Sequence, residues 1–92
     1  MYEITTTTKF DRDLKRIKKR GYDLSLLSKV VNLLATGEQL PAVYRDHKLT
    51  GNYKDFRECH ITPDWLLIYQ ISNGTLLLVL QRTGTHNDLF DK

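Results

Sequence analysis

The sequence predicts an α+β domain of order βααβββ, a two-helix hairpin packed on one face of a mainly antiparallel four-stranded sheet. Three observations carry that expectation. Two stretches repeat apolar residues at helical spacing, and each is stopped by a glycine, Gly21 or Gly37. Three runs beyond Gly51 are rich in aliphatic, aromatic and β-branched residues, as strands are. Asn73-Gly74 joins the last two runs, and Asn-Gly is the strongest short hairpin signal because both turn residues need positive φ.

The elements follow in order. YEITTT (2–7) is short and β-branched and reads as a strand. Thr8 is the expected cap of the first helix, with Asp11 in the first turn, where the helix dipole favours a carboxylate. Phe10, Leu14 and Ile17 form its apolar stripe. Asp23 caps the second helix, whose stripe is Leu24, Leu27, Val30, Val31 and Leu34. The three-residue connection makes the two helices an antiparallel hairpin. Pro41 prevents further helix, so residues 37–51 are expected to be irregular. The remaining strands are NYKDFRECHI (52–61), WLLIYQI (65–71) and TLLLVLQR (75–82). A two-residue loop at 73–74 sets Arg82 opposite Trp65, and a four-residue loop at 61–64 sets His60 on the other side of Trp65. Directly opposed residues share a face, so His60, Trp65 and Arg82 are expected in one row with Asp64 at its edge.

Ninety-two residues support one modest core, and residues 1–92 read as a single domain with no linker or repeat. The longest apolar run, LLLVL (76–80), is far too short to cross a bilayer. The N-terminal residues lack an apolar signal-type segment, and the single Cys59 excludes an internal disulfide framework. The expectation is a soluble, cytoplasmic protein with no membrane association. The net charge of +3 is unevenly spread: residues 9–20 hold seven of the fourteen Lys and Arg against two Asp. Such a block is either a solvated helix face or a surface that attracts phosphate backbones or an acidic protein.

His47, His60 and His86 fall in an irregular segment, at a strand end and in a loop, the places where scaffolds present functional groups. They are either ordinary surface residues or proton-transfer groups working near neutral pH. None lies at the short paired spacing of a zinc site, even counting Asp64, so no metal and no other cofactor is expected. Phosphate-binding loops, dinucleotide fingerprints and nucleophile elbows are missing, and Cys59 lies mid-strand. RNA cleavage suits the set that remains. The attacking group is the substrate's own 2′-OH, so the protein must only move two protons and stabilise charge on the phosphate. Arg82 matches phosphate geometry. Trp65, Tyr53 or Phe90 either stack an unpaired base or pack in the core.

LPAVYRDHKLTG (40–51), HITPDW (60–65) and RTGTH (82–86) with its trailing Leu89-Phe90 closely resemble the YafQ branch of the RelE/ParE bacterial toxins. The resemblance is strong over residues 40–90; over the helices only the arrangement and basic character agree. It implies the RelE-like microbial RNase fold and a type II toxin. That toxin would be a ribosome-dependent endoribonuclease that cuts mRNA in the A site of the 70S ribosome, inhibits translation and is neutralised by a cognate antitoxin. The implied site residues are His47, His60, Asp64, Arg82, His86 and Phe90, with Trp65 in support. Chemistry suggests His86 and Asp64 as proton-transfer groups and His60 and His47 as positioning or exchanging protons. Arg82 would stabilise the phosphate, with Trp65 and Phe90 at a base and Lys15, Lys18 and Lys19 on rRNA. The rival within the superfamily is a ParE-like, non-catalytic inhibitor of gyrase, which has no use for three convergent histidines. A plain nucleic-acid-binding module lacks any supporting motif beyond the basic helix.

Overall fold

The computed structural model describes residues 1–90. Its elements are β1 (Glu3–Thr6), α1 (Thr8–Lys19), α2 (Leu24–Ala35), β2 (His47–Lys48), β3 (Arg57–Thr62), β4 (Trp65–Ser72), β5 (Leu77–Gly84) and α3 (His86–Phe90). The α+β class is as expected, and so are the two helices. Gly21 and Gly37, at φ 81° and 82°, end them. In each case the following N–H bonds back to the last turn, Tyr22 to the Ile17 carbonyl and Glu38 to that of Leu33. Asp23 caps α2 by accepting from the Ser25 N–H at 3.0 Å.

The cap of α1 is Thr7 rather than Thr8. Its hydroxyl accepts from the Phe10 N–H at 3.0 Å and also donates to the Gln81 carbonyl at 2.8 Å, so one side chain starts the helix and pins it to β5. The sheet has five strands, ordered β1-β5-β4-β3-β2, instead of four. The extra strand comes from the segment expected to be irregular: His47 and Lys48 pair antiparallel with Glu58 and Arg57. Asp46 holds it there by accepting from Arg57 Nη2 at 3.1 Å and from the Tyr69 hydroxyl. The contact of β1 with β5 is parallel; the other three strand contacts are antiparallel.

Three boundary expectations fail for local reasons. The strand expected from residue 52 starts at Arg57, because Gly51–Tyr53 forms a 3-10 turn. The Asn73-Gly74 connection is a four-residue loop that pairs Ser72 with Leu77. Tyr2 donates to the Asn73 side chain at 2.5 Å, and the Glu3 N–H takes the Leu76 carbonyl at 2.8 Å, with Leu76 at φ 54°. The arriving N-terminal strand therefore overrides the local turn preference. The third failure is register. Irregularities between His60 and Thr62 and between Ile68 and Tyr69 place His60 opposite Leu66 and Arg82 opposite Ile68. The row of His60, Trp65 and Arg82 does not form.

β4 is buried on both faces, which explains its nearly unbroken apolar sequence. On the helix side Trp65, Leu67 and Tyr69 pack with Phe10, Ile17, Val30, Leu34, Leu78 and Leu80. On the other side Leu66, Ile68 and Leu89 form a smaller cluster with Leu49, Tyr53, Phe56 and Phe90 against it.

One charged residue lies inside the helix layer. Asp13 is 2% exposed, and its carboxylate accepts from Arg82 Nε at 2.7 Å, Arg82 Nη2 at 3.0 Å and the Thr83 N–H at 3.2 Å. Removing that carboxylate strands a guanidinium and a buried N–H together. Asp13→Ala is expected to cost about 3 kcal/mol of stability at pH 7, read as a lower urea midpoint with unchanged slope. An unmoved midpoint would show that the carboxylate does not hold α1 to β5.

Candidate active site

Alternation along β3 puts Glu58 and His60 on one face, and pairing across the sheet adds His47, Leu66, Ile68 and Arg82 to it. This is the face away from α1 and α2. β5 ends at Gly84, and α3 then begins with His86 and places Phe90 one turn further on. His86 was expected in a loop; the short helix instead fixes its direction. The aromatic rings form a continuous arc. His47 to His60 is 6.4 Å between centroids, His60 to His86 6.1 Å, His86 to Phe90 6.0 Å and Phe90 to Tyr53 6.0 Å.

Glu58, 4% exposed, sits beneath this arc, and sequence reasoning missed it. One carboxylate oxygen is 3.3 Å from His47 Nε2 and 3.8 Å from His60 Nε2. The opposite ring nitrogens face carbonyls: His47 Nδ1 is 2.7 Å from the Arg45 oxygen and His60 Nδ1 is 3.3 Å from that of Pro63. A carbonyl oxygen only accepts, so each Nδ1 is placed to donate to its carbonyl while each Nε2 faces the Glu58 carboxylate. The sequence signal was the position of Glu58 two residues before His60 in a strand.

Arg82 carries a guanidinium whose protonated form is favoured first by the Asp13 carboxylate and less by Tyr53. Asp13 occupies Nε and one Nη, with Tyr53 as a further, weaker partner of the guanidinium. Asp64 is exposed in the β3–β4 turn, three residues beyond the Pro63-bonded His60 ring's neighbour Ile61. Lys15, Lys18 and Lys19 are exposed on α1, on the opposite side of the sheet from the arc. Cys59 is buried, and desolvation pushes its thiol up to about 12, which removes it as a nucleophile.

Trp65 departs from its expected place at a base. It is 1% exposed on the helix side, edge-on to Tyr22 at 5.1 Å. Its Nε1–H donates to the Thr83 hydroxyl at 2.8 Å, and that hydroxyl donates to the Leu66 carbonyl at 2.7 Å. The β-bulges explain the reversal: one extra residue turns every later side chain to the other face. Trp65 supports the segment carrying Arg82 from below and has no surface to offer a substrate.

α3 is held by Asp88, also missed. Thr85 and Asp88 cap each other reciprocally, at 3.0 and 3.2 Å, in a threonine–x–x–acid box that was legible at 85–88. The Asp88 carboxylate accepts from Arg20 on α1 through two bonds of 2.7 and 3.0 Å. A Cβ on Gly84 would lie 2.9 Å from the Asp88 Cβ, so this close turn requires glycine.

The chain matches, over residues 2–91, the model of the family described as the bacterial toxin of type II toxin–antitoxin systems, YafQ. It is 40% identical over 89 residues to mRNA interferase toxin YafQ of Escherichia coli K12, covering 96% of this chain and 95% of that protein. Among solved structures it resembles the E. coli DinJ–YafQ complex, with TM-score 0.89, 40% identity and coverage of 98% and 99% of the two chains. It also resembles a metal-bound toxin from Helicobacter pylori, with TM-score 0.92, 53% identity and coverage of 98% and 100%.

The Arg20 guanidinium, followed by the Thr85 bonds, holds the Asp88 carboxyl well below the usual carboxylate range. A folded-state pKa below the unfolded value of about 4 contributes stability that is complete above it and is lost as pH falls toward the folded value. Asp88→Asn is therefore expected to lower the urea midpoint at pH 7, with the gap to wild type closing as pH is taken from 5 toward 2. A gap that stays constant with pH would remove the charge from the explanation.

Proposed function

This chain belongs to the YafQ family of bacterial type II toxins, and from that premise we propose that it is an endoribonuclease cutting mRNA in the A site of the translating 70S ribosome. The observation that carries the reading is the convergence of His47, Glu58, His60 and His86 on the sheet face that also bears Arg82. A gyrase-binding toxin would have no need of such a set.

The chemistry needs no protein nucleophile. The 2′-oxygen of the nucleotide before the cut loses its proton to a side chain and bonds to phosphorus. The 5′-oxygen leaves with the P–O electron pair and takes a proton from a second side chain. The products are a 2′,3′-cyclic phosphate and a 5′-OH end. His86 and Asp64 serve as the proton-transfer pair, and Arg82 meets the charge that builds on the phosphate oxygens. His47 and His60, both beside Glu58, position the phosphate or exchange protons around it. Phe90, edge-on to Tyr53, offers a platform for a base.

Docking is assigned to α1. Lys15, Lys18 and Lys19 supply salt-sensitive attraction to rRNA. A cognate antitoxin is supported by neighbours crystallised as DinJ–YafQ complexes; an acidic one would also cover this charge. The protein would then work where ribosomes are, in the cytoplasm; among the described residues no helix is long and apolar enough to cross a membrane.

Two outcomes are expected in a translating extract with mRNA ends mapped by primer extension. Wild type cuts only when ribosomes are present, and His86→Ala cuts about 10²–10⁴-fold more slowly; ribosome-free cutting, or full activity of the variant, contradicts the proposal. Reversal of Lys15, Lys18 and Lys19 to Glu should weaken ribosome pelleting and flatten its salt dependence. Unchanged affinity would take rRNA docking away from α1.

A further inference from the structure

Beside the arc lies a pocket of about 500 Å³ lined by Val43, Tyr44 and Arg45 on one lip and by His60, Ile61, Thr62 and Pro63 on the other. The first lip is a built loop. The Tyr44 and Arg45 N–H groups bond to the Pro41 and Ala42 carbonyls at 3.0 Å each, and Tyr44 packs on the main core. Arg45 is held in the left-handed region at φ 51°, a conformation that non-glycine residues rarely adopt and that collects at ligand-holding segments. Val43, 77% exposed, stands in solvent at the mouth.

Each lip also holds one histidine of the site. The Arg45 carbonyl takes the Nδ1 proton of His47 and the Pro63 carbonyl that of His60. His60 is itself a wall of the pocket. A ligand seated there meets His60, whose Nε2 faces Glu58, at the end of the arc away from Phe90 and Tyr53.

We propose that this pocket is a subsite for an unstacked nucleobase of the RNA strand, next to the scissile phosphate, with Arg45 on the adjoining phosphate. The inference rests on the endoribonuclease reading and adds a residue-level basis for where that enzyme cuts. The volume falls in the range of small-molecule sites. Val43, Ile61 and Pro63 give the pocket apolar surface for the flat face of a base, and Thr62 adds a polar residue to the lining. The cation at the rim favours a polyanion as occupant over an apolar or basic protein segment. An RNA strand then lies across the histidines with one base at Phe90 and another in the pocket, which holds the intervening phosphate against the arc.

The test is a map of cut sites on one reporter mRNA in a translating extract, for wild type, Val43→Trp and Leu26→Trp, with thermal unfolding of each protein as a check on folding. Val43 and Leu26 are both exposed, so both variants are expected to fold. Tryptophan at the mouth closes it, and Val43→Trp should change the relative use of sites that differ at a nucleotide flanking the cut by tenfold or more. Leu26→Trp, on α2 and outside the pocket, should keep the wild-type pattern. An unchanged pattern in Val43→Trp, or an equal fall at every site, overturns the subsite. So does a variant that keeps the wild-type pattern but escapes the antitoxin, since the groove then belongs to the protein partner. Failure of wild type to cut at all is a different result: it removes the endoribonuclease reading and the subsite with it.

Discussion

The Asp13 carboxylate is the contact through which the helix layer and the site face are tied to each other. It lies in α1 among apolar neighbours, and burial of a lone carboxylate there would cost several kcal/mol. Three donors offset that cost, two from Arg82 and one from the Thr83 main chain. The next residue links carry the constraint inward: Thr83 joins Trp65 on the helix side to the Leu66 carbonyl in the central strand. A helix carboxylate thereby sets the direction of the guanidinium assigned to the phosphate. The second tie runs the other way in sign, from Arg20 of α1 to Asp88 of α3. Arg82 and His86 are five chain positions from end to end, and α1 positions both, one through an acid and one through a base.

This arrangement gives α1 two separable roles. Of its basic residues, Arg20 is committed to Asp88, and Arg16 lies between Asp13 and Asp88 at 3.8 and 3.7 Å. Lys15, Lys18 and Lys19 are exposed at helical spacing and remain for a polyanion. Charge count alone treats the basic block as uniform. The structure divides it: Arg16 and Arg20 face the carboxylates of Asp13 and Asp88, while Arg12 and the lysines are exposed, consistent with the fork geometry of guanidinium for carboxylates and the solvated head of lysine.

Most of the fold was legible because local signals and tertiary packing agree there. Apolar stripes, the Asp23 cap and two terminating glycines place both helices to within a residue or so. What failed was register, and it failed where a single inserted residue decides the outcome. Nothing in the types of Ile61 or Gln81 announces a bulge, yet each bulge shifts its strand against β4. The expected row around Trp65 dissolved for that reason. His60 and Arg82 still share a face, because one now opposes Leu66 and the other Ile68, two positions apart on β4. Two slips on either side of one strand preserved the grouping and exchanged the residue between them. Glu58, Asp13 and Asp88 were readable in principle, as an acid at i−2 of a strand histidine, an acid inside an apolar helix stripe and a threonine–x–x–acid box. Acidic residues in strands and helices ordinarily mean solvent, and that prior hid them.

The site face is completed by unequal covering. At one end Leu89, Phe90, Tyr53 and Phe56 close over Ile68 and Leu66 and make a small core. At the other end this face of β2 and β3 is left uncovered by α1 and α2, and His47 and His86 reach solvent while Glu58 stays buried beneath. A carboxylate shielded from water interacts more strongly with whatever charge is brought beside it than it would at the surface. The apolar end fixes the histidine carried by α3, and the open end leaves His47 and His86 within reach of solvent. The proposed proton exchange would need both conditions on one surface, rigid placement and access, and a sheet face that is half core and half open offers them together.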